Sequence, residues 1–256
     1  MLLTSLAVLL GYMSCLYAAA LVFRNNGIAD VGYGVAFMVV ILATYLQTAA
    51  TLSVTTALLV LLPAVWGVRL AVRIGRKNYG TPEDFRYKAW RDVWGSTFVW
   101  RSFLQVYMLQ GLVVFVVALP VTLALAYPAT TMVYPLVYLG AGLWCVGFFF
   151  EAVGDYQLDA FINDPANRGQ IMMRGLWHYT RHPNYFGESL MWVALAIVGL
   201  GVSSVGIIGI VSPILITYLL LFVSGVPLLE KRWEGNIQWE EYKKKTSVFI
   251  PLPPRT

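Results

Sequence analysis

Apolar runs of about 20 residues alternate with short polar connections along the chain. Seven runs stand out, at roughly 2–23, 30–47, 50–72, 103–126, 132–153, 187–202 and 205–228. A run of that length crosses the ~30 Å hydrocarbon core of a bilayer as one helix. The pattern therefore predicts an all-α polytopic membrane protein with seven transmembrane helices. The last two runs are parted only by Gly199-Leu-Gly-Val-Ser-Ser204. The first run, Met1 to Phe23, has no basic n-region and no small-residue cleavage site before Arg24, so it reads as a helix rather than a signal peptide. No internal repeat or soluble second domain is visible. Residues 1–256 form a single membrane domain, with helices 1–4 in 1–126 and helices 5–7 plus a C-terminal segment in 132–256.

Charge gives these helices a direction. The 18 basic residues lie at 24, at 69–101, at 168–181 and at 231–255. With seven spans, all four groups fall on one side, and the connections near Thr48–Thr51, Tyr127–Thr131 and Gly199–Ser204 carry no charge. The positive-inside rule makes the basic side cytoplasmic and the N-terminus external. The net charge of +5 is thus a topology signal, and no nucleic-acid partner follows from it. Composition agrees: 59% of residues are hydrophobic and 12% charged, half the share of a soluble domain at about 25%. Cys15 and Cys145 both fall in apolar runs and read as small packing residues, not a disulfide. Two histidines in one short stretch indicate no metal site.

The cytoplasmic connections carry the candidate chemistry. Arg73 to Asp92 alternates basic and aromatic residues. Pro82 can occupy a first helical turn after Thr81 as N-cap, with Glu83 and Asp84 at the positive end. One reading is an interfacial helix, its cations near lipid phosphates and its aromatics in the headgroup belt. The other is that Arg69, Arg73, Arg76 and Lys77 also hold an anionic ligand, Arg69 and Arg73 sharing one helical face. Glu151 and Asp155 likewise project from one face at the end of the fifth run. Carboxylates there are costly unless paired, with Arg174 or Arg181, or bound to a polar ligand.

Arg174 to Glu188 is the densest polar island, holding both histidines (His178 and His182), two arginines, Tyr179, Asn184 and Tyr185 between apolar helices. Pro183 biases His182 away from helix. The chain closes with a charged helix and then a short one that sets Trp239, Tyr242 and Phe249 on apolar surface, so this segment is expected to fold back over the cytoplasmic face and cap a cavity. Arginine forks suit phosphates, carboxylates suit ribose hydroxyls and aromatic rings suit a purine. The combination fits a nucleotide cofactor meeting a lipophilic substrate.

The run Gly175-Leu-Trp-x-Tyr-x-Arg-His-Pro-Asn-Tyr-x-Gly-Glu188 resembles the C-terminal signature of steroid 5α-reductase-like membrane proteins, and more closely a bacterial branch of them. The resemblance extends through Glu151, Asp155 and Tyr156, through Glu240-Glu-Tyr242 and Phe249-Ile-Pro251, and weakly to Trp66-Gly-Val-Arg69. It implies a multi-pass protein of a bacterial inner membrane that reduces a double bond of a steroid-like, isoprenoid or fatty acyl substrate with NADPH. Helices 1–4 would hold the substrate and helices 5–7 the cofactor. Asn184 and Glu188 would frame the nicotinamide, Asp155, Arg69 and the loop arginines the ribose and phosphates, and Tyr242 the closing segment. Arg181→Ala should then weaken cofactor binding and leave the fold intact. The family's Gln-Glu pair meets Gln47-Thr48 here, and Trp66 stands where a tyrosine is expected. The acid could instead be Glu188, Tyr107, Tyr179 or Tyr185. The Arg-His-Pro-x-Tyr core and later Glu-Glu-x-x-Tyr also resemble isoprenylcysteine and phospholipid methyltransferases, which implies S-adenosylmethionine as the alternative cofactor. A lipid-binding scaffold without catalysis is the third reading. Membrane lipids and a lipophilic small molecule are the expected partners; the oligomeric state is left open.

Overall fold

The computed structural model describes residues 1–48 and 53–255. The described residues are helical apart from connections, with two isolated β-bridges in place of a sheet. Seven helices among them are long and apolar enough to cross a membrane: α1 (Leu2–Phe23), α2 (Ile28–Gln47), α3 (Val54–Asn78), α4 (Phe85–Val117), α6 (Tyr134–Asn163), α7 (Pro183–Val202) and α8 (Gly206–Lys231). Two shorter helices, α5 (Leu119–Ala126) and α9 (Ile237–Lys245), complete the set. The beginning of the third run, at 50, lies outside the described residues.

The boundaries shift for local reasons. Helix α3 runs on to Asn78, where Arg76 and Lys77 in its last turn favour the negative C-terminal end. The N-cap of α4 is Asp84, not Thr81: its carboxylate accepts from the Arg86 amide at 2.9 Å, and Pro82 stays outside the helix. The fourth run is broken at Ala118, where Pro120 opens a new helix. Gly206–Ile210 and Leu219–Val223 are a 3₁₀ turn and a π turn within α8. Both cysteines are free and sit on exposed helix faces rather than in packed contacts.

Two compact units divide the chain: residues 1–134 with 199–209, and residues 135–198 with 210–256. In the first, α2 and α3 cross at Gly34 and Gly67, where a Cβ on either would strike the other's carbonyl. At the basic end of this unit, Asp30 accepts from Tyr87 Oη at 2.8 Å and pairs with Arg86 at 3.0 Å. Glu83 binds Arg91 at 2.9 Å and the Asn26 amide at 2.9 Å. These bonds fasten the start of α4 to the α1–α2 turn.

Burial alone would raise the Asp84 carboxyl, but hydrogen bonds from the Arg86 side chain and backbone, with the charges of Arg86 and Lys77, bring it below the ordinary carboxylate value. Its contribution to stability is therefore intact above the unfolded carboxylate range, about pH 4, and fades as the pH falls through the lowered value. Asp84→Ala should cost about 1 kcal/mol and flatten the acid limb of a melting-temperature profile below about pH 5. Asp84→Asn should keep the cap and lose the ion pair with Arg86 together with the pH dependence.

In the second unit, α6 packs on α7 through Gly147 and Gly187. A Cβ on Gly147 would lie 2.7 Å from the Gly187 carbonyl oxygen, and one on Gly187 would overlap the Gly147 carbonyl. This close approach brings the carboxylates of α6 beside the first turns of α7.

Candidate functional site

The stretch after α6 turns back because Gly175 adopts φ +61°, where a Cβ would collide with the Gln157 amide. Gln157 Oε1 accepts from the Leu176 amide at 2.9 Å, and Trp177 Nε1 donates to the Gly154 carbonyl at 3.0 Å. The 3₁₀ turn Gly175–His178 is thereby held on the end of α6. Helix α7 opens on Pro183, leaving His182 just before it.

His182 is buried, stacks on Tyr185 with ring centroids 5.4 Å apart, and meets Glu230 through Nε2 at 2.9 Å. A carboxylate only accepts, so Nε2 carries the hydrogen of that bond. Arg181 reaches the same Glu230 through Nε at 2.9 Å and donates to the carbonyls of Lys243 and Thr246 at 3.3 and 2.8 Å. The C-terminal segment is tied down by the same residues. Thr180 Oγ1 donates to Phe249 O at 2.8 Å, the Arg181 amide to Ser247 O at 2.8 Å, and the Leu252 amide to Tyr179 O at 3.0 Å. Tyr242 donates to the Trp177 carbonyl; burial raises its phenol above the usual value, and Arg181 offsets part of that.

A cavity of about 140 Å³ opens among Phe161, Ile171, Arg181, His182, Trp239 and Tyr242, with Glu230 and Trp233 also on its wall. The C-terminal helix α9 forms one side, so the segment does cap a cavity. The space is smaller than the ~300–1,000 Å³ of a typical small-molecule site, so it takes part of a dinucleotide at most.

Beside it, Asn184 donates its amide to buried Asp155 at 3.1 Å. That bond fixes the amide orientation and leaves Asn184 Oδ1 sealed and without a partner, as are His182 Nδ1 and Ser189 Oγ. Three orphaned polar atoms, one just before α7 and two on its first two turns, are unusual, since each costs about 1–3 kcal/mol. They suit hydrogen-bonding groups of a bound molecule. Glu151 is buried one turn from Asp155 on α6, and Tyr185 and Glu188 are half-buried on α7. Arg174 and Tyr179 are exposed.

The remaining expected residues lie in the first unit. Arg69 and Arg73 are half-buried and Arg76 is exposed, all near the end of α3. Trp66 is buried edge-on against Phe37, centroids 5.2 Å apart, level with the Gly34–Gly67 crossing. Gln47 sits at the other end of α2 and donates to Ser5 Oγ at 3.0 Å. Thirteen residues separate Gly34 from Gln47, about 20 Å of helix, so Gln47 and Trp66 do not form one polar set. Tyr107 lies on a π turn over Phe103–Met108, fully buried, and its hydroxyl donates to Asn26 Oδ1 at 3.3 Å.

Sequence reasoning passed over Glu230, Asn26, Asp30 and Ser189. A lone carboxylate opening an apolar helix was an available signal for Asp30. Glu230 sits in a charged run beside Lys231 and Arg232, and nothing local marks it as the partner of residues 48 and 49 positions earlier.

No solved structure matches the chain. Over 119 residues it is 28% identical to 3-oxo-5-alpha-steroid 4-dehydrogenase 1 of Macaca fascicularis, a match covering 46% of this chain and 41% of that protein. Residues 16–246 match the family described as "Protein of unknown function (DUF1295)". Spanning nearly the whole chain, that match makes it a member of this steroid 5α-reductase-like family of helical membrane proteins.

Proposed function

We propose that the protein is an NADPH-dependent reductase of a double bond in a lipid-soluble substrate. The observation that carries this reading is Asn184: its amide is spent on Asp155, and its carbonyl oxygen is a sealed acceptor with no protein partner. A nicotinamide carboxamide offers the N–H donor such an acceptor needs. Asp155 and Glu151 would accept ribose hydroxyls, and Arg174 of the same unit would meet the phosphates. NADPH supplies a hydride. The chain's part is to orient that cofactor, to exclude water through the α6–α7 contact and the C-terminal segment, and to deliver a proton. The relative's name specifies an oxo-steroid, which makes a double bond conjugated to a carbonyl the substrate class of choice. The basic ends of the helices face the cytoplasm in this reading, where NADPH is available.

Purified protein in detergent, heated with NADPH, NADH or S-adenosylmethionine, tests the proposal. NADPH should raise the melting temperature, and Asn184→Ala should weaken its apparent affinity about tenfold, the worth of one hydrogen bond near 1.4 kcal/mol. Stabilisation by S-adenosylmethionine alone would make the protein a methyltransferase, with Glu151 and Asp155 facing the sulfonium. No response to any of the three would leave a lipid-binding scaffold.

A further inference from the structure

The outer face of the α3–α4 turn has no role in the cofactor site. We infer that it is a docking surface for anionic phospholipid headgroups, built where the exposed cations Lys77 and Lys88 flank the exposed apolar residues Phe85 and Val93.

Length argues first. Helix α4 has 33 residues, about 50 Å at 1.5 Å per residue, against a hydrocarbon core of ~30 Å. Roughly a dozen residues must therefore lie in or beyond the headgroup layer. The structure marks which: Phe85–Trp94 is parted from the rest by Gly95, whose φ of +49° and following 3₁₀ turn interrupt the helix.

The two faces of this short helix differ. On the inner face, Tyr87 is buried, and Arg86 and Arg91 are committed to Asp30, Asp84 and Glu83. On the outer face, Phe85 is 78% exposed and Val93 80%, eight residues apart and so on one stripe, and Tyr79 just upstream is 89% exposed. Trp90 stacks on Trp94 at 5.3 Å, which holds an indole at the rim of that stripe. Lys77 and Lys88 are exposed, against Asp92 as the exposed carboxylate of the segment. Apolar exposure alone would suit any bilayer. The surplus of cations, left over after the acids of the turn have been matched internally, selects a negatively charged one.

The full chain, reconstituted in phosphatidylcholine nanodiscs with a rising fraction of dibrominated phosphatidylglycerol or dibrominated phosphatidylcholine, reports this through Trp90. Its fluorescence is taken as the difference between wild type and Trp90→Phe. Half-maximal quenching should need about fivefold less brominated phosphatidylglycerol than brominated phosphatidylcholine, the effect of one basic residue near a charged surface. Lys77→Gln with Lys88→Gln should bring the ratio to one, while Lys77→Arg with Lys88→Arg keeps it. Size exclusion and a melting curve identify any variant that fails to fold. Equal quenching by the two lipids in the wild type overturns the inference, as does a preference that survives the loss of both lysines.

Discussion

Arg181→Ala should destabilise the protein by about 3 kcal/mol, the lower end of what removing one partner of a buried ion pair costs. For a chain of this size that is a fall of roughly 6–12 °C in melting temperature. Arg181 is only 10% exposed and Glu230 16%. Truncation strips the carboxylate of its guanidinium and leaves the carbonyls of Lys243 and Thr246 without their donor. His182 still holds Glu230, which keeps the loss from being larger. Arg181→Lys should recover less than half, because an ammonium cannot serve a carboxylate and two carbonyls in the fixed fork that a guanidinium presents. Seen from sequence alone, this arginine was a cofactor ligand whose loss would spare the fold. Its geometry predicts a change in melting temperature before any ligand is added. An unchanged melting curve with weakened NADPH binding would restore the first view.

Gly187→Val should be nearly as damaging, at about 3 kcal/mol, the upper range for forcing methyl groups into a packed contact. The added carbons would meet the Gly147 carbonyl, the Glu151 amide and the Glu151 Cβ, all of them on a rigid helix. Helices α6 and α7 must then separate, and the 3.1 Å bond from Asn184 to Asp155 goes with them. Two readouts should move together: the melting temperature falls, and any stabilisation by NADPH disappears. Gly142→Ala on α6 is the control, since nothing lies within 4 Å of its added methyl. If Gly187→Val melted like Gly142→Ala, the close approach of α6 and α7 would have no energetic weight.

The membrane architecture was legible because each span is encoded locally, by some twenty consecutive apolar residues whose burial in lipid needs no distant partner. Helix ends were less so. Thr81 and Asp84 are both good caps, and the choice between them was settled by Glu83, drawn away to Asn26 and Arg91. The polar island at Arg174–Glu188 was visible for the same reason as the spans, as an interruption of them. Its partners were not. The carboxylate that binds Arg181 and His182 comes from the end of α8, and the carbonyls that bind Thr180 and Arg181 come from residues 243–249. Such pairings carry no signal in spacing, because the intervening helices are set by hydropathy alone. The separation of Gln47 from Trp66 has a similar cause: sequence places both on adjacent helices, and only the Gly34–Gly67 crossing fixes their relative height.

The docking of the C-terminal segment also sets a schedule for synthesis. Thr180 waits for Phe249, 69 residues later, and Arg181 for Thr246, 65 residues later. At translation rates of about 5–20 residues per second, the delay is roughly 3–14 s. Until Glu230 is made, 49 residues on, the Arg181 guanidinium lacks its carboxylate, and the edge of the 179–181 backbone waits longer still, although every membrane span before α8 is already made. Ribosomes stalled near the end would therefore hold an inserted but unfinished protein, open at this one strip. That strip is where a chaperone or protease could tell a nascent chain from a completed one.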